Sequence, residues 1–162
     1  SKFENFSIKN WNESLKINLN SLFLCSQVFG KEMLKFKDGS IINIASTYGV
    51  VGPDQKIYLN KNLKNTFFKN PAYPTTKGAV ISFTKYLASY WGKSGIRVNC
   101  ISPGGIENIE NKDFIKKYTS RTLLGRMAKP EDLFGVVKLL CSKESSYMTG
   151  ANIIVDGGWT TI

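Results

Sequence analysis

The sequence contains no histidine. That removes Ser-His-Asp and Cys-His catalysis and His-x-x-x-His metal sites, and it leaves Tyr, Lys, Ser, Asn, Asp and Glu to carry any chemistry. Cysteine is scarce: Cys25, Cys100 and Cys141 make an odd three with no Cys-x-x-Cys pair. A disulfide framework or zinc knuckle is therefore not expected, and a cytoplasmic setting is. No apolar run is long enough to span a bilayer and the first residues do not read as a signal peptide, so no membrane partner is expected. Arginine is limited to Arg97, Arg121 and Arg126 although the formal net charge is +10. The lysines are scattered and form no basic stripe interleaved with aromatics, which reads as a solvated surface and not as a nucleic-acid interface.

What is present suits one globular domain: 162 residues, 42% of them hydrophobic, are enough for one real core. Ser7 caps a predicted helix in which Trp11, Leu15, Ile17, Leu19, Leu22, Phe23 and Val28 recur at helical spacing to about Phe36. Its apolar arc is wide, so burial on more than one side is expected, inside the domain or against a second subunit. Asn18 and Asn20 lie in this stretch, and a buried amide needs partners. Residues 40–46, 96–102 and 152–155 are short, nearly continuous apolar runs that read as buried parallel strands. Helices are predicted from 73 to about 91 and from 130 to about 141, with a shorter one from 111 to about 118. Helix alternating with strand is the rhythm of an α/β fold with a parallel sheet and crossover helices.

Between strand and helix, residues 51–71 lose all periodicity. They carry four lysines against one aspartate, with aromatics interleaved. A long ordered loop of this kind is expected to be a substrate lid, the other reading being a floppy insertion.

The candidate chemistry centres on Tyr73-Pro74-Thr75-Thr76-Lys77. Proline is tolerated only in the first helical turn, which places Tyr73 at the mouth of a helix with Lys77 one turn further along the same face. The ammonium and the positive helix end both favour the ionised oxygen that a general acid or base needs. Taken alone, the spacing also describes an ordinary amphipathic pair. Ser46 stands at the carboxyl end of a strand, the edge where open α/β sheets bind ligands, though serine there is also a common turn residue. Gly104 and Gly105 after Pro103 would let a backbone approach a ligand, or serve a tight turn.

In order, Ile17-Asn18-Leu19, the strand ending in Ser46, Tyr73-x-x-x-Lys77, Arg97-Val-Asn-Cys-Ile-Ser-Pro103-Gly104 and Thr149-Gly-Ala-Asn-Ile-Ile-Val-Asp156-Gly-Gly158 resemble the short-chain dehydrogenase/reductase family over essentially the whole chain. The resemblance implies a Rossmann-type doubly wound parallel sheet and NAD(P)-dependent interconversion of a hydroxyl and a carbonyl. By it, Tyr73 would be the general acid/base, Ser46 would hydrogen-bond the reacting oxygen, and Asn18 would hold a water of the proton relay. Lys77 would assist the ionisation of Tyr73 and bind the nicotinamide ribose. The backbone from Pro103 through Gly104 and Gly105 to Ile106 would meet the nicotinamide carboxamide. Homo-oligomers, dimers or tetramers, built on the helices of Asn18 and Lys77 are implied too.

Two departures stand out. Ser46 and Tyr73 are 27 positions apart, further than the resemblance implies, and the excess is the lid candidate. Its opening, Thr47-Tyr-Gly-Val-Val-Gly-Pro-Asp54, is similar to members linked to bacterial surface-sugar and flagellin-glycan biosynthesis, so an anionic sugar, a sugar phosphate or nucleotide sugar, is the expected substrate. In addition, no Gly-x-x-x-Gly-x-Gly turn follows a strand anywhere. The expectation is a chain lacking the amino-terminal cofactor turn, about ninety residues short of an α/β unit of about 250, so that the choice of NAD or NADP is unreadable. The alternative is an inactive fragment that retains only an oligomerisation surface.

Overall fold

β2, Ile96–Pro103, is the central strand of a three-stranded parallel sheet in the order β1-β2-β3, with β1 at Gly39–Ile44 and β3 at Asn152–Val155. The computed structural model describes residues 1–59, 67–107 and 111–162. Gly39 is in register with Ile96 and Ile44 with Ile101, while Cys100 pairs with Asn152 and Pro103 with Val155. All three strands fall where the apolar runs predict, because a strand covered on both faces draws apolar residues to both sides of its pleat.

Alternation along the strands separates the two covered faces. On one, Ile96 and Val98 pack with Leu87, Ala88 and Trp91 of α3 (Ala72–Trp91), joined by Met33 of α2 (Ser21–Phe36) and by Ile41. Further along, Ala45 and Cys100 meet Val80 of α3. On the other face, the Ser40 hydroxyl donates to the Leu140 carbonyl of α5 (Phe134–Cys141) at 2.7 Å, and Arg97 donates to the carbonyls of Leu140 and Ser142. Helices on both faces of a parallel sheet make this the doubly wound α/β architecture expected.

The amino-terminal helix departs from expectation. Instead of one helix to Phe36 there are α1 (Ile8–Leu15), a π-helical turn over Lys16–Asn20, and α2. Ser7 does cap it, its hydroxyl accepting from Asn10 N–H at 3.2 Å. The wide apolar arc is only partly covered: Trp11, Leu15, Leu19 and Leu22 are half-buried, Leu22 against Ala45, Val80 and Cys100. Ser26 and Gly30 are the buried residues of α2, whereas Ile17, Phe23, Leu24, Val28 and Phe29 are all more than half exposed. Gly30 packs against the Trp91 ring of α3, since a Cβ there would fall 2.1 Å from it.

The remaining elements are a 3-10 turn at Gln55–Tyr58, α4 at Lys112–Thr119 capped by the Asn111 side chain, and a 3-10 turn at Pro130–Leu133 leading into α5. Of the lid candidate at 51–71, residues 60–66 lie outside the described residues.

Candidate active site

Beyond the carboxyl ends of β1 and β2 lies an open cavity of about 350 Å³ lined by Ser46, Tyr73, Lys77 and the backbone from Pro103 to Ile106, among others. Residues distant in sequence thus converge at the sheet edge where parallel α/β folds bind ligands.

Ser46 leaves β1 in extended conformation and starts a 3-10 turn, its Oγ accepting from Tyr48 N–H at 3.2 Å. With a lone pair so engaged, the hydroxyl proton is free to be donated into the cavity. Tyr73 occupies the first turn of α3, as Pro74 dictates; the Asn70 side chain secures that start by accepting from Ala72 N–H at 2.8 Å. Lys77 crosses from α3 to the end of β1 and donates from Nζ to the Ile44 carbonyl at 2.8 Å. Its ammonium lies 5.8 Å from the Tyr73 ring centroid, and burial pushes its pKa down. Asn18 is not among the residues lining the cavity. It sits in the π turn with its amide donating to the Ser14 carbonyl at 2.9 Å.

The segment after β2 is held from three sides. Gly104 N–H donates to Val155 O, Gly105 N–H to the Tyr118 hydroxyl, and Ala128 N–H to Gly105 O. A Cβ on Gly104 would approach Asp156 Cα to 2.9 Å and one on Gly105 would approach Tyr118 Cζ to 2.8 Å. Packing leaves no room for a side chain at either position, and both glycines present backbone to the cavity. Ile106 is different. Among the described residues no hydrogen bond engages its N–H or C=O, and it lines the cavity.

Three tyrosines that sequence reasoning left unassigned complete the walls. Tyr48 and Tyr58 join their hydroxyls at 2.9 Å, and burial pushes both phenols up. Tyr118 stacks on Trp159 with centroids 4.3 Å apart, and Arg121, paired with Asp54, lies over the other ring of that stack at 4.7 Å. This chain of contacts ties the 51–59 segment and α4 to the backbone of Gly105. The one signal in the sequence was that Tyr48 and Tyr58 flank the turn residues following Ser46.

A family model described as enoyl-(acyl carrier protein) reductase matches residues 1–160. Among curated relatives, the 2-dehydro-3-deoxy-D-gluconate 5-dehydrogenase of Bacillus subtilis is 36% identical over 168 residues, covering 98% of this chain and 59% of that protein. Galactitol 2-dehydrogenase of Rhizobium johnstonii is 35% identical over 156 residues, covering 93% and 56%. A short chain dehydrogenase of Leptospira borgpetersenii, solved with bound NAD+, superposes with a TM-score of 0.88 at 43% identity, covering 99% of this chain and 60% of that one. A gluconate 5-dehydrogenase of Burkholderia cenocepacia, solved with NADP and tartrate, gives 0.87 at 27% identity, covering 100% and 60%. The chain spans about three fifths of the length of these relatives.

Proposed function

The chain belongs to the short-chain dehydrogenase/reductase family, and on that premise we propose that its cavity serves an NAD(P)-dependent oxidoreductase that interconverts a hydroxyl and a carbonyl. The observation that carries the reading is the meeting of Ser46, Tyr73, Lys77 and the Ile106 backbone around one cavity. The N–H and C=O of Ile106, without a hydrogen-bond partner among the described residues, match the carboxamide of a nicotinamide, which has the complementary acceptor and donor. When bound, that cofactor supplies or takes the hydride.

The residues of this chain handle position and proton. Ser46 donates its free hydroxyl proton to the substrate oxygen and holds it toward Tyr73. Tyr73 gives its proton to that oxygen in reduction and takes it back in oxidation. The Lys77 ammonium, fixed on the Ile44 carbonyl, offsets the negative charge that develops on the Tyr73 oxygen and is placed to meet the cofactor ribose. Asn18 belongs to the proposal as the holder of a relay water, since π turns recur at functional sites.

The substrate is a small polyhydroxylated anion. Two relatives bear the names of sugar-acid dehydrogenases, one of them solved with tartrate, and the lysines lining the cavity face no acidic residue in its lining. Within that class, a sugar phosphate or nucleotide sugar of surface-glycan biosynthesis is the narrower version. Described parts of the 51–71 insertion, Tyr58 and Lys69, line the cavity wall, which supports its role as a substrate cover. The exposed apolar rows of α2, with Tyr86 and Tyr90 on α3, support assembly of two or four copies through those helices.

The test is Tyr73→Phe in the protein as its source cell makes it. Turnover of a sugar-acid and sugar-phosphate panel, followed by reduced-nicotinamide absorbance, should fall about a hundred- to ten-thousand-fold with cofactor binding retained. Full turnover in the variant would overturn the assignment. A protein that assembles but binds no nicotinamide nucleotide would support the inactive, associating fragment instead.

A further inference from the structure

Lys69 precedes α3 by three positions and sends its ammonium into the cavity, 4.5 Å from the ring centroid of Tyr73, 5.3 Å from that of Tyr48 and 5.6 Å from that of Tyr58. Three phenol faces thus form a cup around one positive charge. The cup is built in advance of any ligand. The Tyr48–Tyr58 hydroxyl bond fixes two of its rings, and Tyr58 also packs against Phe67 and Phe114 at 5.5 and 5.4 Å. The Lys69 backbone is pinned as well, its N–H donating to Gln55 Oε1 at 3.1 Å, while the Gln55 amide nitrogen donates to the Phe67 carbonyl.

The ammonium itself is incompletely satisfied. Ring faces stabilise a cation on the side they cover but accept none of its three N–H donors conventionally. Among the described residues, no carboxylate and no hydrogen-bond acceptor engages Lys69 Nζ, and no aspartate or glutamate lines the cavity. Burial pushes the Lys69 pKa down, so the charge is held in a place that costs it hydration. An oxyanion arriving in the cavity would supply both the missing acceptor and the missing counter-charge.

We propose that Lys69, caged by Tyr48, Tyr58 and Tyr73, is the specificity-determining residue that binds the carboxylate or phosphate of the substrate. The inference rests on the proposed dehydrogenase reading for the identity of the cavity and adds to it the position of the anion. Because the cage includes the ring of Tyr73 itself, the oxyanion sits within a few bonds of the reacting carbon. A compact sugar acid or sugar phosphate meets that requirement.

The experiment compares wild type, Lys69→Met and Lys69→Arg, the methionine filling the cup without charge. Isothermal titration without nicotinamide uses three probes: D-gluconate, D-glucose 6-phosphate and neutral D-glucitol. Wild type should prefer an anion over glucitol, Lys69→Met should weaken that anion's binding about tenfold or more, and Lys69→Arg should recover part of the loss. Weakening for gluconate alone assigns the site to carboxylates, and weakening for the phosphate alone to phosphates. Anion affinities that are the same in wild type and Lys69→Met, or a wild type that binds neither anion, would overturn the subsite. The same variants are then assayed with NAD and NADP as the ratio of kcat/KM for anionic over neutral substrate, which should fall about tenfold or more in Lys69→Met. Anion binding that depends on Lys69 without any turnover would leave the subsite standing and remove the dehydrogenase reading.

Discussion

Gly49 lies directly against the backbone of Lys77: a Cβ at position 49 would stand 2.7 Å from both the carbonyl carbon and the carbonyl oxygen of Lys77. The turn that begins at Ser46 and the helix that carries Tyr73 and Lys77 are therefore packed backbone to backbone, and a glycine sets their separation.

Gly49→Ala should push the two apart. Overpacking against main chain, which cannot rotate away, should destabilise the protein by about 1–3 kcal/mol and reduce turnover through the displaced lysine. Gly52→Ala is the comparison, since nothing lies within 4 Å of its Cβ position; its change should stay within about 0.5 kcal/mol. Thermal denaturation of the two variants side by side checks this.

Asn99 is fully buried and is satisfied at both ends, donating to Met148 O at 2.9 Å and accepting from Ala151 N–H at 3.0 Å. Asn99→Ala leaves the half-buried Met148 carbonyl and Ala151 N–H without this partner just before β3, at a total cost of about 1–3 kcal/mol. Urea denaturation should show a lower midpoint with an unchanged slope.

Lys77→Met separates stability from chemistry. The Ile44 carbonyl loses one charged donor at an open cavity that water can enter, so the stability cost should be no more than about 1.5 kcal/mol. Turnover should fall by about a hundredfold or more, because the positive charge beside Tyr73 is gone. Measuring Tm and kcat/KM on the same preparation distinguishes the two.

Alkaline stability should pass through a maximum. Burial raises the phenols of Tyr48, Tyr58 and Tyr118, so above about pH 10 the unfolded chain loses protons that the folded one keeps, and stability falls as pH rises. Burial lowers Lys69 and Lys77, so just below about pH 10 the unfolded chain binds more protons and stability rises with pH. Denaturant midpoints measured across about pH 8–12 should rise and then fall. A profile that falls throughout would contradict the lysine contribution.

The strands were readable because burial on both faces writes itself into sequence as short runs rich in isoleucine and valine: the run at 96–102 became Ile96–Pro103, and the one at 152–155 became Asn152–Val155. The π turn at Lys16–Asn20 was not readable, because one extra residue per turn barely disturbs an apolar periodicity counted over thirty positions. Nor could hydropathy tell that Phe23 and Val28 are more than half exposed, since an apolar residue at helical spacing has the same composition whether or not this chain covers it. At the site, the pairing of Tyr73 with Lys77 is local and shows as spacing. The cup around Lys69 draws on residues 48, 58 and 73, which no fixed spacing joins, and only the folded chain brings their rings together.

The register of the sheet carries one more consequence, for how the molecule comes to be folded. Gly39 pairs with Ile96 and Cys100 with Asn152, so each ladder closes a loop of more than fifty residues, and among the described residues no hairpin offers an earlier, cheaper pairing. Helices can flicker into place within microseconds, but each strand pairing must wait for a search over about a third of the chain. During that wait the isoleucine-rich runs of β1 and β3 remain unpaired and adhesive. Folding of this domain is accordingly slow relative to its size, and crowded nascent chains are its most vulnerable state.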